Sequence, residues 1–264
     1  MNKKKHVFIT GVSRGIGRAT ALLFVKNGYQ VTGTSRNPSE LRDPIKGIRY
    51  ISLDLKKPET ITSRVNQSGN IDILINNAGQ SQIGPAEEIP FEKFIEMFQI
   101  NLFGLVRLSN HIIAQMRQKR KGQIINIGSL VGKFAIPFQA SYVASKWALA
   151  GYTWSLRNEL RYFGIKVSLV EPIDTKTSIK PEEFINENSE YQSNYLKVKD
   201  CINDKMKHAV EPEKVAKKIL KIARAKNPKP CYSVGGRGPL LVFLSRFVSN
   251  KNIESLLIKN YKLK

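Results

Sequence analysis

The chain has 264 residues, enough to bury a large core as one α/β domain or two smaller ones. Its 43 lysines and arginines against 21 aspartates and glutamates leave a net charge of +22, which raises nucleic acid, an anionic membrane surface and a phosphorylated ligand as partners. No zinc finger, nucleic-acid-binding aromatic motif or basic zipper accompanies that charge, so specific nucleic-acid binding is not expected. Cys201 and Cys231 have no metal-ligand spacing, and His6, His111 and His208 are scattered, so no metal is expected and a hydrolase triad has little support. No apolar run approaches the roughly 20 residues of a membrane span. Few cysteines and a basic start without an apolar leader core point to the cytoplasm.

In chain order, His6–Thr10 reads as a strand that runs into Thr10-Gly11-Val12-Ser13-Arg14-Gly15-Ile16-Gly17 and then into a helical pattern closed by Gly28. Strand, glycine-rich turn and helix is the arrangement that offers free backbone N–H groups to a pyrophosphate at a helix N-terminus. Gly11 takes the tight turn, Gly15 lets the backbone approach phosphate, and Gly17 permits close packing of helix on sheet. Further strands are expected at Tyr29–Ser35, Ile48–Leu53, Ile71–Asn76, Gln123–Ile127 and Lys166–Glu171. Long helical stretches are expected at Phe91–Arg120 and Ser141–Phe163, a helix from Pro212 with Val215, Ile219 and Ile222 on one face, and a seventh strand at Tyr232–Val234. Strands separated by helical patterns predict an α/β, Rossmann-like, doubly wound parallel sheet of about seven strands, within one domain over residues 1–264.

The stretch from Ser129 to Lys146 carries the chemistry. It places Tyr142 thirteen residues after Ser129 and Lys146 four residues after Tyr142. On one helix, the i, i+4 pair would stack about 5–6 Å apart at Cβ. A phenol with a pKa of about 10 is a poor base near neutrality, and a neighbouring ammonium favours the phenolate. Tyr-x-x-x-Lys recurs at Tyr162–Lys166 and Tyr195–Lys199, but Leu149 and Glu182 stand thirteen residues upstream of these, and Gly164 breaks the helical register of the first.

Taken together, the glycine-rich turn, Asn76-Asn77-Ala78-Gly79, Ser129 and Tyr142-x-x-x-Lys146 resemble, in order and spacing, the short-chain dehydrogenase/reductase family, its simple single-domain branch. The resemblance covers Thr10 to about Thr177. It implies that Tyr142 exchanges a proton with a substrate oxygen while a nicotinamide exchanges a hydride with the carbon. Ser129 would hydrogen-bond that oxygen, Lys146 would lower the phenol pKa and hold the ribose, and Asn101 would position a water linking Lys146 to solvent. It also implies a cofactor site made of Gly11, Ser13, Arg14, Gly15, Ile16, Gly17, Arg36, Asp54, Leu55, Asn77, Ala78, Gly79, Tyr142, Lys146, Pro172, Thr175 and Thr177. Asp54 would meet the adenine amino group, and Asn76, Ala78 and Gly79 would pack near the adenosine. Arg36 at the end of the second strand, with no carboxylate before Glu40, and Arg14 in the turn favour NADP(H) over NAD(H), since guanidinium forks suit a 2′-phosphate.

Where the family usually has Pro-Gly after the sixth strand, this chain has Pro172-Ile173, which predicts a different loop path because a β-branched residue resists positive φ. Residues of about 173–210 lack a clear period and are expected to form a substrate-covering loop. Phe138 and Gln139 are expected on the substrate side with Ser129 and Tyr142. Together with Phe134 and Ile136, they suggest a lipophilic carbonyl or alcohol of steroid, retinoid or keto-lipid type. The apolar and basic helical tail, about 238–264, could cover the pocket, join subunits of a homodimer or homotetramer, or touch a membrane peripherally. The alternative to an NADP(H)-dependent oxidoreductase is a catalytically weak nucleotide-binding scaffold with the same fold.

Overall fold

The computed structural model of the chain describes residues 4–177, 179–236 and 238–263; Lys3 of the basic start and Lys264 of the tail lie outside them. The chain begins with strand β1 (His6–Ile9), helix α1 (Gly15–Lys26), β2 (Gln30–Ser35), β3 (Ile48–Ser52), α2 (Pro58–Asn66) and β4 (Ile73–Asn76). A two-residue strand β5 (Gln82–Ile83) precedes α3 (Phe91–Phe98), a π-helical turn at Gln99–Phe103, α4 (Gly104–Gln118) and β6 (Gly122–Ile127). Then come α5 (Ala140–Leu160), β7 (Ile165–Pro172), a short β8 (Glu182–Glu183), α6 (Gln192–Lys207), α7 (Pro212–Arg224) and β9 (Cys231–Val234). Helices α8 (Gly238–Leu244) and α9 (Asn250–Asn260) form the tail.

Seven strands make one parallel sheet in the order β3-β2-β1-β4-β6-β7-β9. Alternation along the strands divides the core into two layers. Val7 and Ile9 of β1 and Ile73 and Ile75 of β4 join one buried cluster with Phe24 of α1 and Val215 and Ile219 of α7. Phe8 and Leu74 point the other way, to Ile61 of α2, Leu108 and Ile112 of α4, and Leu156 of α5. That is the two-residue period of a strand covered on both faces. The strand order reverses between β1 and β4, and at such a switch point the loops beyond the carboxyl ends diverge and leave a crevice.

Two expectations are corrected. Phe91–Arg120 is not one regular helix, because the chain widens into a π turn around Asn101. The segment read as a substrate-covering loop over 173–210 contains the four-turn helix α6 and the strand β8. Its residues lack a clean amphipathic period because few of them reach the core: only Tyr195 and Val198 of α6 are buried. Strand β8 pairs in parallel with β5, and Phe184 N–H donates to Ile83 O at 2.9 Å, so this segment is tied across the crevice.

Candidate active site

At the switch point, Gly11 (φ +71°) turns the chain out of β1. A Cβ on Gly17 would lie 2.1 Å from Gly11 O and 2.4 Å from Asn77 Nδ2, so α1 approaches as closely as it does only because residue 17 has no side chain. Asn77 closes this corner: its backbone N–H donates to Thr10 Oγ1, and its side-chain amide donates to Thr10 O and Gly11 O. Asn76 is buried behind it, donating to Ser109 Oγ and Asn126 Oδ1, and so ties β4 to α4 and β6 rather than facing the crevice.

A cleft of about 630 Å³ runs from this corner along the sheet edge. The β1–α1 turn contributes Gly11, Ser13, Arg14 and Ile16 to its wall; the end of β2 contributes Arg36, and the loop after β3 contributes Asp54 and Leu55. Asn77, Ala78 and Gly79 follow β4, Ser129 follows β6, and Gln139, Tyr142 and Lys146 come from the start of α5. Pro172, Thr175 and Thr177 follow β7. Gly15, Gly17, Asn101 and Phe138 are not on the wall. Gly15 lies beneath Thr177, whose methyl would sit 3.0 Å from a Cβ there. Phe138, at φ +60°, turns its ring edge-on to Tyr191 and Tyr195 and supports α6.

Lys146 is buried and donates to Ile127 O at 3.2 Å, which fixes it behind the tyrosine. Burial lowers its pKa from 10.5 to about 8. Its Nζ lies 5.8 Å from the Tyr142 ring centroid. Burial pushes the Tyr142 phenol up, the Ser129 hydroxyl opposes this through a hydrogen bond, and the charge of Asp174 adds to the rise. Burial is the largest of these influences on the phenol. The Asn101 side chain is held on two sides. Its Oδ1 accepts from Gln80 N–H at 2.9 Å, and its Nδ2 donates to Gln80 O and Ser145 Oγ. The side chain thus clamps the loop after β4 onto α5.

Two other pieces hold the wall. Glu171, fully buried at the end of β7, pairs with Lys133 at 3.3 Å and accepts from Cys231 Sγ, tying the turn after Ser129 to β9. Ile173 takes no left-handed backbone; its N–H donates to Val234 O, and Gly235 (φ +109°) leaves room for its methyl, where a Cβ would lie 2.5 Å away. The other Tyr-x-x-x-Lys pairs are occupied elsewhere. Gly164 (φ +68°) ends the helix between Tyr162 and Lys166, whereas Tyr195 and Lys199 both bond Glu183 from α6.

Asp174, Lys205 and Tyr261 also line the cleft, outside every motif in the sequence. Lys205 Nζ stands 3.8 Å from the centroid of the Tyr261 ring, which is almost fully buried. Burial raises the Asp174 carboxyl and lowers the Lys205 ammonium, while the attraction between them opposes each shift. No local spacing signals this group, since Lys205 and Tyr261 lie 31 and 87 residues after Asp174.

A dinucleotide fits this cleft on the structure's own terms. The first turn of α1 has no side-chain cap at Arg14 and no acidic residue, so its N–H groups and dipole suit a pyrophosphate. The model of the short chain dehydrogenase family matches residues 5–188. A 3-ketodihydrosphingosine reductase of Bacteroides thetaiotaomicron is 37% identical over 231 residues, 84% of each chain. An NADPH-dependent 1-acyldihydroxyacetone phosphate reductase of Schizosaccharomyces pombe is 35% identical over 205 residues, 72% of this chain and 69% of that one. A short-chain dehydrogenase from Streptomyces avermitilis superposes with a TM-score of 0.85 at 27% identity, covering 99% of this chain and 98% of the other. With sequence, sheet order and crevice agreeing over nearly its whole length, this chain belongs to the short-chain dehydrogenase/reductase family of oxidoreductases.

Proposed function

We propose that this oxidoreductase uses NADP(H) to interconvert a carbonyl and a secondary alcohol on a lipophilic substrate, running as a ketone reductase. The observation that carries the reading is that Ser129, Tyr142 and Lys146 share one cleft wall with Arg14 and Arg36. Carboxylates near the β2 edge are engaged elsewhere: Glu40 accepts from Asn37 and Asp43 pairs with Arg18. Arg14 and Arg36 line the cleft near the position where an NAD-type site would present an acid. Val131, Ile136, Ile173, Ile179, Ile202 and Met206 give the far end of the cleft an apolar lining, and the names of the two relatives specify a ketosphingoid and an acylated ketone phosphate.

When bound, the cofactor supplies or accepts the hydride. This chain's part is to hold and move the proton. Tyr142 gives its phenolic proton to the substrate oxygen during reduction, a role that suits a phenol kept protonated by burial. Ser129 donates to the same oxygen and stabilises the charge that develops there. The Lys146 ammonium lowers the cost of the phenolate left behind, and Asn101 acts as a positioning residue through Gln80 and Ser145. Half-exposed Trp147 and Trp154 give α5 an apolar face for a homodimer or homotetramer.

Steady-state reduction of ketones of graded apolarity, with NADPH and with NADH, tests the proposal. Efficiency is expected to be higher with NADPH and to rise with chain length, and Tyr142→Phe should lower kcat by about 10²–10⁴-fold. Preference for NADH would overturn the cofactor reading, and near-full activity of Tyr142→Phe would overturn the mechanism.

A further inference from the structure

The tail carries an apolar face that the fold leaves pointing outward. Leu240, Phe243, Leu244 and Phe247 recur at i, i+3, i+4 and i+7 through α8 and the 3-10 turn that continues it, the spacing that gathers side chains on one side of a helix. Such a face ordinarily packs on the core. Here the four side chains are 54, 55, 47 and 76% exposed, and the Phe243 and Phe247 rings meet edge to face at 5.4 Å to form a shared ridge. In α9, Leu256 is exposed as well.

The charge of the tail says what covers the ridge. Arg246, Lys251, Lys259 and Lys262 are all exposed, and Glu254 is the only acid between residues 238 and 263. A symmetric contact with a second copy would set these cations against one another, because an isologous interface places the same patch on both sides. An anionic surface would neutralise them. The segment is also fixed at the cleft at both ends. A Cβ on Gly238 would lie 3.6 Å from Ile173 and 3.8 Å from Leu130, while Tyr261 is buried beneath Lys205. Ile173 and Tyr261 both line the cleft, so the segment that carries the ridge packs against the cleft wall at its start and forms part of it near its end.

We propose that this ridge is a peripheral docking surface for an anionic lipid bilayer. Leu240, Phe243, Leu244 and Phe247 enter the headgroup boundary and the flanking cations meet lipid phosphates. Among the described residues no helix is long and apolar enough to cross a membrane, so the contact is interfacial. It requires no turnover and stands apart from the catalytic reading.

Co-sedimentation of the full chain with phosphatidylcholine vesicles, with and without phosphatidylglycerol, tests this. Truncation is avoided because it would remove Tyr261 from the cleft. Binding is expected to the anionic vesicles only and to weaken with salt. Leu244→Ser/Phe247→Ser is expected to reduce it about tenfold or more with the melting temperature unchanged, and Arg246→Glu/Lys251→Glu to reduce it without altering the ridge. Failure of the parent chain to sediment, or binding that survives Leu244→Ser/Phe247→Ser, would overturn the proposal. A smaller oligomer for that variant with vesicle binding intact would make the ridge a subunit interface and overturn it too.

Discussion

Lys146 has been brought by burial to where its proton is readily lost, about pH 8 instead of 10.5. Its proposed role needs the ammonium, so reductase efficiency is expected to fall as pH rises through about 8, measurable as a pH profile of kcat/KM. Stability moves the other way. Between about 8 and 10.5 the unfolded lysine holds a proton that the folded one has released, so the ligand-free protein gains stability as pH rises through that window. Lys146→Met should flatten that slope and raise stability at neutral pH by about 1–3 kcal/mol while abolishing turnover, as chemical denaturation at several pH values would record. Arg36 gives the matching prediction for specificity. Arg36→Asp is expected to raise KM for NADPH about 10–100-fold and improve use of NADH, because it removes a guanidinium and restores an acceptor for a ribose hydroxyl.

At the scale of elements, the most informative departures are the π turn and the cover of the cleft. The π turn at Gln99–Phe103 carries Asn101 into the gap between the loop after β4 and α5, where its amide is bonded by Gln80 and Ser145. Periodicity read over Phe91–Arg120 could not show it, since one extra residue per turn leaves the apolar pattern on either side intact. The cover is held by backbone bonds between β5 and β8 and by Tyr195, whose hydroxyl donates to Glu183. Gly84 makes this pairing possible: a Cβ there would lie 2.2 Å from Phe184 O. Gly84→Ala is therefore expected to loosen β8, with faster amide exchange at Glu182 and Phe184 by mass spectrometry. A several-fold rise in substrate KM should accompany it, with cofactor affinity changed little.

Across the whole molecule, the surplus of positive charge finds three distinct settings. Arg14 and Arg36 line the cleft, Lys133 is held against buried Glu171, and the tail cations share a segment with an exposed apolar ridge. Composition alone reports their sum and cannot separate them. What the sequence by itself determined is the doubly wound sheet, the glycine turn, and Ser129, Tyr142 and Lys146, because each rests on short-range spacing or on the two-residue alternation of buried strands. Only the tertiary structure decided that Asp174, Lys205 and Tyr261 meet at one end of the cleft, that Phe138 turns away from it, and that the Asn101 side chain bonds Gln80 and Ser145. Those outcomes depend on contacts between segments far apart in the chain. Burial then sets the chemistry, holding the phenol of Tyr142 protonated and the ammonium of Lys146 near release, since both shifts come from water excluded when the sheet and helices close around them.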